Sequence, residues 1–100
     1  MLGERFKAAI VIPAFNEGAT IGEIVKLVGQ YGVVIVVNDA STDNTNSEAI
    51  KMGAVVVNHS RNKGYDEALN SGFLKAYELR CDAVITFDAD GQHSHELLPV

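Results

Sequence analysis

The chain has 100 residues, and 47% of them are hydrophobic, which is enough for the core of one small domain. Its 13 acidic and 8 basic residues leave a formal net charge of −5, which argues against the basic surface that non-specific nucleic-acid binding needs. A single cysteine excludes an internal disulfide and a cysteine-rich zinc site. Apolar runs such as Val33 to Val37 are far too short to cross a bilayer, so we expect a soluble, cytoplasmic protein.

Four short apolar segments alternate along the chain with three segments of helical pattern. In chain order we predict strand Ala8–Pro13, helix 20–30, strand Val33–Asn38, helix 44–52, strand Ala54–Asn58, helix 65–80 and strand Ala83–Phe87. The strand segments are continuous and rich in β-branched residues, which is typical of strands buried on both faces of a mainly parallel sheet. With right-handed crossovers, this order predicts an α/β fold: half of a doubly wound sheet flanked by helices.

The helices carry start signals in the sequence. An apolar stripe at helical spacing begins at Ile21, and Thr20 with Glu23 matches a capping box at the start of the first helix. Asp43 is suited to cap the second helix. A fourth helix is expected from near Ser94, although the proline that follows would make it short or broken.

The loops that follow the strands hold much of the chain's negative charge. In parallel α/β sheets these loops meet at one edge, where ligands bind. Clustered carboxylates repel one another unless a cation or solvent screens them, so this edge indicates a metal, or the hydroxyl and N–H groups of a sugar and a base, as ligand. The five acids in the loops are Glu17, Asp39, Asp43, Asp88 and Asp90.

Asp88 and Asp90 directly follow the fourth predicted strand. If the chain stays extended, the two carboxylates point the same way and can share one divalent cation, with Gln92 adding an amide oxygen. Oxygen ligands favour Mg²⁺ or Mn²⁺ over Zn²⁺. The alternative is an acidic turn, since Asp and Gly are common turn residues.

Residues after the first two strands are candidates for nucleotide binding. Asp39 can accept hydrogen bonds from the sugar or base of a nucleotide, or else make an Asx-turn. Glu17 can accept hydrogen bonds from a ligand, or else stabilise the helix N-terminus that it precedes. Pro13 and Phe15 can form an apolar platform under a flat base, or else only pack the strand end.

The loop after the third strand brings positive charge to the start of a helix. Arg61, Lys63 and Gly64 could assist in binding a diphosphate, but a solvated basic turn is the more ordinary reading. His59 is expected to be a surface or loop histidine rather than a catalyst. Asp43 is expected to act as a helix cap rather than as a ligand-binding group.

Four loop sequences, in order, resemble glycosyltransferase family 2, whose members are inverting enzymes of the GT-A fold. Within it, the likeness is strongest to polyprenyl-phosphate or dolichol-phosphate mannosyl- and glucosyltransferases. The resemblance covers nearly the whole chain. The matching segments are VIPAFNE (11–17), VVNDASTDNT (36–45), RNKGY (61–65) and FDADGQH (87–93).

The resemblance implies a role for each matching residue. The nucleotide of a sugar-nucleotide donor would contact Pro13, Phe15, Glu17, Asp39 and Asp88. The metal that bridges the donor's diphosphate would be held by Asp88, Asp90 and Gln92. The implied function is transfer of a hexose from a UDP- or GDP-sugar with Mg²⁺ or Mn²⁺, inverting by family analogy, to an acceptor that could be a polyprenyl phosphate. Asn38, Ala40 and Phe15 depart mildly from the common family pattern, in which Asp, Gly and Tyr are frequent.

The chain is shorter than a GT-A catalytic domain. We therefore expect residues 1–100 to be the nucleotide-sugar-binding half of such a domain, truncated before the acceptor site and the catalytic base, and peripheral to the membrane when full length. The expected Rossmann-like strand order is 3-2-1-4, which would leave the fourth strand as an exposed apolar edge. That edge would favour pairing with a second copy, and hence a homo-oligomer, or low stability.

Two other functions stay open at this point. One is a non-catalytic nucleotide-binding module, since no catalytic base can be assigned. The other is a phosphatase of the haloacid-dehalogenase type, with Asp88 as nucleophile and Asp90 as acid, although its motif normally follows the first strand. The chain has neither the glycine-rich fingerprint of dinucleotide-binding proteins nor a P-loop.

Overall fold

The fold is a five-stranded sheet with helices on both faces. A computed structural model describes residues 6–89 and the backbone of residues 97–99. The strands are β1 (Ala8–Ala14), β2 (Val33–Asn38), β3 (Val55–Asn58), β4 (Ala83–Thr86) and β5 (Leu97–Pro99). The helices are α1 (Ile21–Val28), α2 (Thr45–Lys51) and α3 (Tyr65–Glu78), and a 3₁₀ turn (Gly29–Tyr31) follows α1. The seven predicted elements are all present, and their ends differ from the prediction by at most two residues.

The strands lie in the order β3-β2-β1-β4-β5. β1 pairs in parallel with β2 and β4, and β2 pairs in parallel with β3. The predicted α/β class and the order 3-2-1-4 are therefore confirmed. Because the first four strands run the same way, their carboxyl ends, and the loops that follow them, lie along one edge of the sheet.

Alternate residues of the central strands fill two separate cores. On one face, Ile10 and Ile12 of β1 pack with the stripe of α1 that includes Ile21. On the other face, Ala9 and Val11 of β1 pack against α3. All these side chains are buried, which explains why the strand sequences are continuously apolar instead of alternating.

Gly72 lets α3 approach the sheet closely. A Cβ atom built at this position would lie 2.3 Å from Cγ1 of Val11, so no larger residue fits without movement. α3 is also the helix whose N-terminus faces the loops at the carboxyl edge. The close packing thus holds the start of α3 near the candidate site.

Two sequence-based expectations are wrong at the C-terminal side. Leu97–Pro99 form a strand, β5, where a helix from near Ser94 was expected; Ser94 itself lies outside the described residues. β5 pairs antiparallel with β4, so β4 is not the exposed edge that suggested homo-oligomer formation. A proline is tolerated in this position because an edge strand does not need every N–H for pairing.

The expected capping box at α1 does not form. Thr20 is the N-cap residue, but its side chain makes no capping hydrogen bond. Its hydroxyl instead donates to the carbonyl of Ala89, at 3.4 Å. The hydroxyl also lies 3.5 Å from the carbonyl of Glu17, so it contacts both its own loop and the loop after β4.

Candidate functional site

A pocket of about 350 Å³ opens at the carboxyl edge of the sheet. It is formed by the loops after β1, β2, β3 and β4 and by the start of α3. Its lining residues are Pro13, Ala14, Phe15, Glu17, Asp39, Asn62, Gly64, Tyr65, Ala68, Asp88 and Ala89. All five residues predicted to contact a nucleotide therefore lie at one pocket.

The sheet's hydrogen bonding continues beyond the strand ends and positions the loops. Asp39 donates its N–H to the carbonyl of Ala14 at 2.9 Å, and Phe87 donates to that of Val11 at 3.0 Å. The residues that directly follow β2 and β4 are thus fixed by backbone hydrogen bonds to β1. Asp88, which follows Phe87, is carried to the same edge as Asp39.

Asp39 is the most strongly held carboxylate of the pocket. The residue is only 5% exposed. Its Oδ1 accepts hydrogen bonds from the N–H of Lys63 at 2.8 Å and from Nδ1 of His59 at 2.8 Å. Its Oδ2 accepts from the N–H of Gly64 at 2.9 Å. The carboxylate therefore ties the end of β2 to the loop that leads into α3.

The surroundings of Asp39 keep it ionised. Burial by itself raises the pKa of this carboxyl, but the hydrogen bonds from His59 and from two backbone N–H groups outweigh that effect and hold the pKa below its usual value. In space, the Asp39 carboxylate also lies close to the N-terminus of α3, where the helix dipole favours negative charge. Gly64 has a φ of +92°, a conformation that glycine adopts far more readily than other residues, and this turns its N–H toward Asp39.

His59 lies in the loop after β3, as expected of a loop histidine, but its side chain is buried and not at the surface. Its side chain is 5% exposed and lies between Asp39 and Ser71 of α3, with Nε2 at 2.7 Å from Ser71 Oγ. Sequence reasoning missed this contact because no pattern links a loop histidine to a serine one helical turn or more into the next helix. Asn62 and Tyr65, which line the pocket, were likewise not singled out as individual site residues.

Asp88 also lines the pocket and is half-buried. Its Oδ1 accepts a hydrogen bond from the hydroxyl of Tyr65 at 3.1 Å. No residue of the described part of the chain donates to its Oδ2. One carboxylate oxygen of Asp88 is thus open toward a ligand.

Asn16 joins the loop after β1 to the loop after β2. It has a φ of +53°, and its side-chain oxygen accepts from the N–H of Thr42 at 2.8 Å. Its own N–H donates to Ser41 Oγ at 2.9 Å. This pairing holds Phe15, which is 46% exposed, beside Asp39 at the pocket, where a flat base could stack on its ring.

Asp43 has the structural role that its position predicted. Its carboxylate accepts hydrogen bonds from the N–H of Thr45 at 2.9 Å and from the N–H of Gly18 at 3.0 Å, and a further one from the Thr45 hydroxyl. The Thr45 hydroxyl hydrogen bond lowers the pKa of Asp43 most, and the backbone donors lower it further against a smaller effect of burial. Asp43 does not line the pocket; Asn44 is the N-cap residue of α2, and Asp43, one residue earlier, accepts the first N–H of the helix.

Of the three residues considered for diphosphate binding, Arg61, Lys63 and Gly64, one lies at the pocket. Gly64 lines the pocket, whereas the pocket lining does not include Arg61 or Lys63. The contribution of Lys63 to the site is its backbone N–H, which binds Asp39. The ordinary reading of the two basic side chains as solvated turn residues agrees with their exposure.

The predicted metal site is only partly visible. Asp90 and Gln92 lie outside the described residues, as do His93 and His95. Within residues 6–89, no three His, Cys, Asp or Glu side chains are grouped closely enough to hold a metal ion. Of the three predicted ligands, Asp88 alone lies among the described residues, and its carboxylate oxygen is of the type that Mg²⁺ and Mn²⁺ prefer.

Known proteins share both the sequence and the fold. The sequence model of the family described as glycosyl transferase family 2 matches residues 9–100. An uncharacterized protein of Methanocaldococcus jannaschii is 43% identical, with 84% of this chain and 35% of that protein covered. The UDP-N-acetylglucosamine–dolichyl-phosphate N-acetylglucosaminyltransferase of Methanococcus voltae is 35% identical, with 85% of this chain and 41% of that protein covered.

A solved structure with the same fold contains a nucleotide and a metal. It is glucosyl-3-phosphoglycerate synthase from Mycobacterium tuberculosis in complex with Mn²⁺, UDP and glucosyl-3-phosphoglycerate. The match has a TM-score of 0.69 and 28% identity, and it covers 84% of this chain and 33% of that one. This chain therefore spans between a third and two fifths of the length of these similar proteins.

Proposed function

The chain belongs to glycosyl transferase family 2, and from that premise we propose that the whole protein transfers a hexose from a nucleotide-diphosphate sugar to an acceptor. Residues 1–100 would supply the donor-binding half of a GT-A domain. By family analogy the transfer inverts the configuration at the sugar. The donor would be a UDP- or GDP-hexose.

The observation that carries this proposal is the meeting of Asp39 and Asp88 at one pocket. A nucleoside diphosphate has an aromatic base at one end and a charged diphosphate at the other. The pocket offers the exposed ring of Phe15 and the acceptor oxygens of Asp39 for the base. Asp88 offers a carboxylate oxygen to which no other described residue donates.

A divalent cation would bind at the Asp88 side. Asp88, together with Asp90 and Gln92 from outside the described residues, would hold Mg²⁺ or Mn²⁺. When bound, such an ion neutralises the charge that develops on the leaving nucleoside diphosphate. The Tyr65 hydroxyl would orient the Asp88 carboxylate for this purpose. Support comes from the Mn²⁺ and UDP in the synthase from M. tuberculosis.

The acceptor could be a lipid phosphate. The support is the name of the relative from M. voltae, an enzyme of dolichyl phosphate. Within the part of the chain that the structure describes, none of the helices has the length and apolar character to span a bilayer. With a lipid acceptor, the full-length protein would work at a membrane surface.

A non-catalytic nucleotide-binding module would use the same pocket. It would need the same contacts to the nucleotide and no base for an acceptor hydroxyl. The phosphatase alternative has no such support, because the chain belongs to a different family and its Asp88 follows the fourth strand.

Calorimetry and a transfer assay on the full-length protein test the proposal. We expect UDP-glucose or GDP-mannose to bind in the presence of Mn²⁺ and a hexose to be transferred to polyprenyl phosphate or another acceptor. The variant Asp88→Asn should lose transfer, whereas the control Glu78→Gln, at the far end of α3, should not. Binding without transfer to any acceptor would support the binding module, and no binding of any nucleotide sugar would overturn both.

A further inference from the structure

Asp39 belongs to a partly buried chain of three hydrogen-bonded side chains. Asp39 Oδ1 lies 2.8 Å from His59 Nδ1, and His59 Nε2 lies 2.7 Å from Ser71 Oγ. The His59 side chain is 5% exposed and that of Asp39 is 7% exposed. The backbone N–H of His59 also donates to the carbonyl of Asn38, so the histidine is held by main chain as well as side chain.

The contacts determine which nitrogen of His59 carries the proton. An ionised Asp39 can only accept, so Nδ1 of His59 must donate to it. In the neutral imidazole Nε2 is then the acceptor, and the hydroxyl of Ser71 donates to it. Asp39 therefore fixes the tautomer, and the hydrogen bond with Ser71 helps to orient the ring.

Serine, histidine and aspartate are hydrogen-bonded here in the order of a hydrolase triad, but a different member of the three faces the pocket. Asp39 lines the pocket, whereas Ser71 and His59 do not. A nucleophile must reach the reacting atom, and here the acid is the residue that faces the ligand. The chain of contacts therefore supports Asp39 instead of activating Ser71.

The network leaves Asp39 with one free acceptor position. Each carboxylate oxygen can accept about two hydrogen bonds. Oδ1 already accepts from Lys63 N–H and from His59, while Oδ2 accepts from Gly64 N–H alone among the described residues. A ligand in the pocket can therefore donate one hydrogen bond to this carboxylate, through Oδ2.

The single free acceptor position of Asp39 distinguishes uracil from guanine, the two bases that the proposed function allows. Uracil presents a single N–H on its pairing edge. Guanine presents two adjacent N–H groups, which pair best with both oxygens of one carboxylate. Because Oδ1 of Asp39 is occupied, guanine would leave one donor unpaired in the pocket. An unpaired buried donor weakens binding on the order of tenfold to a hundredfold.

We propose that His59, held by Ser71, is a positioning residue that occupies Oδ1 of Asp39 and thereby makes the pocket selective for uracil over guanine nucleotides. The inference rests on the proposed function, since it concerns the base of the same donor. His59 acts only through Asp39 and does not itself contact the nucleotide.

The test measures binding of UDP and GDP to the full-length protein with Mn²⁺ by calorimetry, together with kcat and KM for the donor. The wild type should bind UDP at least tenfold more tightly than GDP. His59→Leu should bring the two affinities close together and raise the KM for the donor about tenfold with little change in kcat. His59→Asn keeps an N–H near the position of Nδ1 and should retain the preference.

Ser71→Ala should partially weaken the preference for UDP. Ser60 is exposed and adjoins His59 in the loop after β3, so Ser60→Ala should leave the preference unchanged. If His59→Leu does not fold, His59→Asn and Ser71→Ala are compared instead. A preference for UDP in Ser71→Ala as strong as that of the wild type would then overturn the role of the network. Equal binding of UDP and GDP by the wild type would overturn the inference but leave the proposed function standing. Binding of neither nucleotide would overturn the proposed function itself.

Discussion

Asp39 and Asp88 follow two strands that are not neighbours, yet both side chains line one pocket. β2 and β4 lie on either side of β1, so the two carboxylates are separated by two strand spacings, roughly 10 Å. That separation suits a ligand that is extended across the sheet edge, with different chemistry at its two ends.

Removing the charge of Asp88 should weaken catalysis in the full-length enzyme. Asp88→Asn keeps the shape of the side chain but lowers its affinity for a divalent cation, so we expect kcat/KM to fall on the order of a hundredfold. Tyr65→Phe removes only the hydroxyl that holds Asp88 and should lower kcat/KM by about threefold to tenfold. Steady-state kinetics at several Mn²⁺ concentrations measures both effects. Full activity of Asp88→Asn would contradict the assignment.

Acid should destabilise the folded state through Asp39 and Asp43. The pKa of each is lower in the folded protein than its usual value, so the ionised carboxylate favours folding. This contribution is fully present above the unfolded-state pKa of about 3.9 and is lost as the pH falls through the lower folded-state values. Urea unfolding between pH 6 and pH 3 measures the free energy. In Asp43→Asn, which leaves the pocket lining intact, the decrease should be shallower; an identical pH profile would refute the role of Asp43.

Adding a methyl group at Gly72 should destabilise the protein. The new Cβ of Gly72→Ala would meet Val11 at 2.3 Å, and such overpacking costs about 1–3 kcal/mol. Gly22→Ala, in α1, is the matched control. Its Cβ would lie 3.4 Å from Cγ of Met52, so the added methyl group has room. Alanine has the higher helix propensity, so the control should be neutral or stabilising by up to about 1 kcal/mol. Thermal and urea unfolding compare the two, and equal effects would show that α3 tolerates the extra atom.

Replacing Ala40 by glycine should stabilise the loop after β2. Ala40 has a φ of +65°, where an alanine is strained by about 1 kcal/mol relative to glycine. Part of this gain is offset because glycine also increases the entropy of the unfolded chain, so we expect a net stabilisation of about 0.5 kcal/mol. Ala54→Gly, at a residue without positive φ, should instead destabilise. Urea denaturation of both variants tests the difference, and a loss of stability in Ala40→Gly would contradict the strain.

Local patterns were sufficient for the parallel sheet and for the position of the pocket. The continuous β-branched runs can be buried only in a sheet covered on both faces, and parallel strands bring their following loops to one edge. Asp39, Asp88, Phe15 and Glu17 could therefore be assigned to one site from the sequence. The four loop motifs then indicated the family, which the comparison with known proteins confirmed.

What the sequence by itself determined was thus which residues reach the edge of the sheet; the tertiary structure decided what those residues contact. Thr20 bonds to Ala89 in place of its local cap, β5 pairs where a helix was expected, and His59 lies buried between Asp39 and Ser71. Each of these contacts joins segments that are separate along the chain. A polar group takes whichever partner the packed elements bring within hydrogen-bond distance, and no local pattern encodes that partner.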